Sequence, residues 1–238
     1  MPTITTQNWD GVTAPAIPAG WTVGTNVITQ ASNANSSPNS LFNNNLDATR
    51  EAYYSTAQDG NGGNVRATTL FRISAKGTGG LNQCQVMARI TSAPAATCYL
   101  VVGSDTGSAA GMTLRKRVSS VQTVLGSAVG STATLATGSW YRAVVECEGT
   151  TIRGKLQRQS DGLWLNASGS FVSGETTFAS VTDSDVSGQG YVGIRTYRFV
   201  SGDLHSFDDF TAETIDAAAT FKPAWAAGSN RFVGAGIY

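Results

Sequence analysis

The sequence predicts an all-β protein, a sandwich or barrel of many short strands, on three observations. Apolar and polar residues alternate with a period of two in segment after segment, and no segment keeps a helical period for three turns. Clusters of Gly, Ser, Pro and Asn interrupt these segments at short spacing. Only 13% of the residues are charged and 27 of the 238 are glycine, a profile that favours strands joined by tight turns over amphipathic helices.

The elements follow in order. GWTVGTNVIT (Gly20 to Thr29) reads as the first strand, and the polar run ASNANSSPNSLFNNN (Ala31 to Asn45) as a mobile loop, because strand-like sequence continues on both sides. After the DGNGGN turn from Asp59 comes NVRATTLFRIS (Asn64 to Ser74). KGTGG, SAPAA and SDTGSAAG then separate QCQVMARIT (Gln83 to Thr91), TCYLVVG (Thr97 to Gly103) and MTLRKRV (Met112 to Val118). SVQTVLGSA (Ser120 to Ala128) follows, and WYRAVVECE (Trp140 to Glu148) and TIRGKLQRQ (Thr151 to Gln159) form a hairpin about an EGT turn. GYVGIRTYRF (Gly190 to Phe199) and SFDDFTAETI (Ser206 to Ile215) close the series. TIDAAATFKPAW (Thr214 to Trp225) has room for one helical turn before Pro223.

Charge and cysteine usage exclude several functions. Sixteen basic and sixteen acidic residues cancel, so no long-range field draws in nucleic acid or an anionic membrane. No stretch approaches the run of roughly 20 apolar residues that spans a bilayer, and MPTITTQNWDG has no signal-peptide pattern. Cys84, Cys98 and Cys147 are odd in number and lack CxxC spacing, which predicts three reduced, mostly buried thiols. Cys147 alternates with Tyr141, Ala143 and Val145 on the expected core face.

Several stretches together resemble the concanavalin A-like lectin/glucanase superfamily, the laminin-G-like jelly rolls. They are W-D-G and I-P-A-G-W (Trp9 to Gly11, Ile17 to Trp21), GSWYRAVVECEGTTIRGKL (Gly138 to Leu156) and GQGYVGIRTYRFVSGDLHSFDDFTAE (Gly188 to Glu213). The resemblance implies a jelly-roll β-sandwich of two antiparallel sheets over residues 1–215, with first and last strands side by side and a tail at 216–238. A looser resemblance, in composition and in the tail, is to bacteriophage virion proteins. Fold alone does not give function, because the superfamily holds lectins, glycosidases, adhesion modules and coat proteins.

Glycoside hydrolysis needs two carboxyls about 5 to 10 Å apart, and the Glu-x-Asp-x-x-Glu strand of the superfamily's glycosidases is absent. Glu146 and Glu148 share one strand face, and the hairpin puts Arg153 and Lys155 near them, so they read as a solvent-facing charge pair. His205 is the only histidine, which removes a serine-type triad and a two-histidine metal site. No cofactor is expected. Calcium is the one reservation, through Asp183 and Asp185, with Asp203, Asp208 and Asp209 as further oxygen donors. Alternation puts Asp208 and Asp209 on opposite faces. For a glycan, which needs aromatic platforms with hydrogen-bonding partners, the candidates are Trp164, Arg195 and Tyr197, while Trp9, Trp21 and Trp140 read as core.

The last stretch, FKPAWAAGSNRFVGAGIY, carries two cations, no acid and four aromatics. Phe221, Trp225, Arg231, Phe232 and Tyr238 are of the types that anchor interfaces. The expected function is therefore a non-enzymatic bacteriophage virion component, made in the host cytoplasm, that docks through its tail onto a second copy or another virion protein and contacts host glycans. A free-standing carbohydrate-binding module is the alternative, and a glycosidase with a displaced catalytic pair a third.

Overall fold

The computed structural model describes residues 3–13, 16–23, 27–30, 34–35, 39–43, 48–55, 63–75, 83–91, 97–104, 111–130, 135–198 and 204–216, with backbone alone at 27–30, 42–43, 48–50, 75, 198 and 204. Seventeen strands lie among them. The first five are β1 (Thr3–Gln7), β2 (Trp21–Val23), β3 (Val27–Gln30), β4 (Ser40–Asn43) and β5 (Ala48–Tyr54). Next come β6 (Val65–Ala75), β7 (Gln83–Ile90), β8 (Cys98–Ser104), β9 (Gly111–Val118), β10 (Val121–Val124), β11 (Trp140–Glu148) and β12 (Thr151–Arg158). The last are β13 (Trp164–Leu165), β14 (Phe171–Val172), β15 (Ala179–Thr182), β16 (Tyr191–Arg198) and β17 (Leu204–Thr214). No helix among the described residues is long and apolar enough to cross a membrane.

The strands form two antiparallel sheets. One runs β14-β13-β12-β11-β6-β17-β4-β3, with β1 added on β17 and β15 on β12; the other runs β10-β9-β8-β7-β16-β5-β2. First and last strands pair, Gln7 opposite Phe210. Period two then builds the core: Tyr141, Ala143, Val145 and Cys147 of β11 meet Tyr99 and Val101 of β8 and Met112 and Leu114 of β9. Trp9 and Trp21 join it edge to face, their centroids 4.9 Å apart, and Phe210 stands 5.0 Å from Trp21. All three cysteines are free and buried.

The glycines of the GYVGI run have a steric reason. A Cβ on Gly193 would lie 2.3 Å from the Ala52 carbonyl oxygen, and one on Gly190 2.7 Å from the backbone of Arg89. Arg89 itself has a φ of 53° and lies where the β16–β7 register shifts. Its guanidinium donates to the carbonyls of Gly63, Val186 and Gly149 at 2.9, 3.1 and 2.8 Å, joining three loops at one end of the sandwich.

Several expectations are corrected. The segment from Gly20 to Thr29 is two strands in different sheets, β2 and β3. The run from Ala31 to Asn45 contains β4, held between β3 and β17. Trp140 is half-buried on the outer face, since its neighbour Tyr141 takes the core position. Asp208 and Asp209 do not face apart. Asp209 has a φ of 44° within a register shift, and this bulge lets both carboxylates reach Asn35, at 2.7 Å to its amide nitrogen and 3.2 Å to its side chain.

Candidate functional site

Alternation in the seven-stranded sheet sends one set of side chains into the core and the other to the outer face. On that outer face Met87, Cys98, Leu100 and Val102 form a second apolar cluster, with Tyr53 and Tyr191 packed against it. The two tyrosine rings are 5.5 Å apart. Above this floor Glu51 of β5 binds Arg195 of β16 at 3.0 Å and Arg117 of β9 at 2.9 Å. Arg195 donates to Gln85, which donates to Gln83.

The Glu51–Arg117 contact also reports the shape of the sheet. β9 and β5 are four strand steps apart, about 19 Å across a flat sheet. That exceeds what the two side chains and one hydrogen bond can cover, so the sheet is curved and this face is concave. Arg115 lies beside Arg117 and donates to Thr113 and Gln122, at 2.8 and 3.1 Å. Burial lowers the Arg115 and Arg195 guanidinium pKa values from their ordinary range, and burial pushes the Cys98 thiol beneath them up to about 12. The concave face thus presents phenol rings and fixed guanidinium and amide groups, with Tyr53, Tyr191, Tyr197, Arg115 and Gln122 half-buried at its surface over an apolar layer of Met87, Cys98, Leu100 and Val102 that is itself covered.

Arg195 and Tyr197 are on this face as strand neighbours of Glu51 and Gln85. Trp164 is not. It lies in β13 of the ten-stranded sheet, opposite Gln157 and Val172 and only 7% exposed, so it offers no open ring face. Asp183 and Asp185 converge, but on Lys116, whose ammonium is 2.6 Å from Asp183 and also bonded to Asp185. Tyr99 donates to Asp183 at 2.6 Å. Burial raises the Asp183 pKa, but the bonds from Lys116 and Tyr99 outweigh it and hold the carboxyl below its usual range. Where a cation site was expected, a lysine supplies the charge. Among the described residues no three acid, His or Cys side chains cluster as metal ligands. Asp203 and the tail residues Phe221, Trp225, Arg231, Phe232 and Tyr238 lie outside the described residues.

Glu146, Glu148 and Glu175, on the ten-stranded sheet side, are also tied down. Glu146 is 6% exposed rather than solvent-facing, because Lys155 and Arg66 lie over it at 2.7 and 3.2 Å and share themselves with Glu175. Arg153 pairs with Glu148. Burial raises the Glu175 pKa, yet Lys155 and Arg66 bring the net shift downward. A general acid needs the opposite shift. One further hollow, about 410 Å³, lies between Gly126, Ser127 and Val129 on one side and Thr177, Ala179 and Val181 on the other, and its lining carries no charge.

Other residues of the concave face are visible in the alternation of the sequence. MTLRKRV places Thr113, Arg115 and Arg117 opposite Met112 and Leu114, and QCQV places Gln83 and Gln85 opposite Cys84 and Val86. What alternation does not show is that Glu51, from a segment without a strand assignment, closes the group.

No protein-family model matches the chain, and no curated protein does. Solved structures do share its fold. Carbohydrate-binding module CBM66 from Bacillus subtilis matches with a TM-score of 0.54 at 16% identity, over 82% of this chain and 96% of that one. The metal-free lectin I-B4 of Griffonia simplicifolia matches at 0.55 and 12% identity, over 88% and 98%. The CBM2 module of the evolved Dit protein of Lactobacillus casei BL23 phage J-1 matches at 0.54 and 11% identity, over 89% and 94%. The fold is the concanavalin A-like, galectin-like jelly roll.

Proposed function

We propose that this protein is a non-catalytic, lectin-like module that takes a glycan on the concave face of its seven-stranded sheet. The observation that carries this reading is the concave face itself: half-buried Tyr53, Tyr191, Tyr197, Arg115, Arg117 and Gln122 at its surface, held by Glu51, Arg195 and Gln85 and backed by a covered apolar layer. Sugars present CH faces and hydroxyls together, and such a mixed surface matches both. The similar proteins named as a lectin and as carbohydrate-binding modules support it. Hydrolysis is disfavoured because the carboxyls whose pKa shifts among the described residues, Asp161, Glu175 and Asp183, all shift down. Binding is proposed to need no calcium, since Lys116 satisfies Asp183 and Asp185.

The test is a glycan panel read by calorimetry and thermal shift, with and without EDTA. A bound sugar whose affinity falls at least about tenfold in Tyr191→Ala and Arg115→Ala, and is unchanged by EDTA, is expected. No binding across the panel, or binding indifferent to both substitutions, would sink the reading.

A second reading, in which this module serves a bacteriophage virion, rests on the similarity to the phage J-1 module and on the aromatic tail. Removing residues 216–238 should lower the solution mass of the assembly, or abolish particle binding, while leaving core unfolding in place. An unchanged mass and unchanged particle binding would count against it.

A further inference from the structure

The outer face of the ten-stranded sheet is electrostatically lopsided. At the end near the β11–β12 turn the cations lie among acids: Arg66 and Lys155 pair with Glu146 and Glu175, Arg153 pairs with Glu148, and Glu213 stands opposite Arg66. At the other end stand Arg72 of β6 and Arg142 of β11, which make no ion pair or hydrogen bond with the described residues. The register places Trp140 opposite Arg72 and Arg142 opposite Leu70, so the two guanidiniums are diagonal neighbours on one face. Phe71 and Tyr141, each next in sequence to one of them, turn the other way and stack in the core with centroids 5.8 Å apart.

Two adjacent like charges on a sheet repel, and an unbonded buried donor is costly, so such a pair is normally given an acid. Among the described residues none is supplied. Asp208, opposite Leu70 on the next strand, turns its carboxylate to the backbone amides of Asn35 and Asp209. The Nε of Arg72 is buried without a hydrogen-bond partner. The half-buried indole of Trp140 adds a flat apolar surface directly beside these donors.

We propose that Arg72, Arg142 and Trp140 form a second binding site, separate from the concave face, for an acidic sugar. A uronate carboxylate would take the guanidinium forks, and the CH face of its ring would lie on Trp140. Arginine suits this because its planar donors match a carboxylate in pairs. Trp140 argues for a sugar over a simple anion or an acidic peptide, whose carboxylates alone would use only the two arginines.

The experiment titrates the full chain with trigalacturonate, cellotriose, sodium sulfate and a triaspartate peptide, by calorimetry and tryptophan fluorescence, at 0.05 and 0.5 M salt. Trigalacturonate should bind most tightly, weaken at the higher salt because these charges are near solvent, and lose about tenfold or more in R72Q/R142Q and in W140A. It should keep its affinity in Arg115→Gln, which separates this site from the concave one. The double variant should unfold no earlier than the parent, since no ion pair is removed. If it does not fold, Arg142→Gln and the salt dependence carry the same test. No trigalacturonate binding, binding unchanged in the variants, or equal binding of sulfate or triaspartate would overturn the proposal.

Discussion

Glu51 and Glu146 are both buried carboxylates held by two cations, but on opposite sheets, and the difference lies in what else each cation touches. Glu146 shares Arg66 and Lys155 with a second acid, Glu175, so its network remains compensated if it is lost. Glu51 pairs with both Arg117 and Arg195, which cross an apolar layer to reach it, and among the described residues no second acid is shared between them. The first arrangement fastens a sheet. The second gathers two guanidiniums from different strands about one carboxylate on the concave face.

Removing each acid in turn breaks the comparison open. Glu51→Gln leaves two desolvated guanidiniums facing an uncharged amide and is expected to cost about 3 kcal/mol, the range for breaking a buried pair, read by urea unfolding. Glu146→Gln should cost about 1 kcal/mol, because Glu175 keeps both cations occupied. If the two variants unfold alike, the distinction fails. Glu148→Gln, which removes only the half-exposed pair with Arg153, should stay within about 0.5 kcal/mol of the parent.

A thiol lies near each carboxylate and sharpens the contrast through pH. Burial pushes both Cys98, below Arg117, Arg195 and Glu51, and Cys147, beside Glu146, from 9.0 to about 12. A raised folded pKa means that the unfolded chain releases its proton first. Stability from these thiols is therefore complete below pH 9 and lost as pH rises toward about 12. Cys98→Ala and Cys147→Ala should each flatten that alkaline decline, and an unaltered slope would contradict it. At neutral pH the native protein should resist alkylation, and three thiols should react after unfolding, with no disulfide found by intact mass.

The fold was readable wherever burial is one-sided. From Asn64 onward β6, β11 and β12 alternate, while β7 and β8 are buried on both faces and stand out by the turns that bound them, and the structure returns Trp140 to Glu148 with the same bounds. Before Asn64 the pattern fades. β4 has only Ser40 to Asn43, and its place is decided by pairing with β17, more than 160 positions away, and by Asp10, Asp208 and Asp209 gripping Asn35 and Asn39. Such long-range contacts leave no local period. The site was half legible for a related reason. Arg195 and Tyr197 were found on a strand whose faces could be assigned. Trp164 was misjudged because its exposure depends on the β13–β14 hairpin, too short to announce itself.

The Arg89 guanidinium bears on the speed of the molecule's opening as well as its shape. It ties its strand to carbonyls 26, 60 and 97 positions distant, so it cannot close until both sheets have met. Contacts that form after the rate-limiting step govern how fast a protein comes apart and scarcely how fast it assembles. Arg89 therefore acts as a latch on lifetime: Arg89→Lys should shorten the native half-life in stopped-flow unfolding while the refolding rate barely moves.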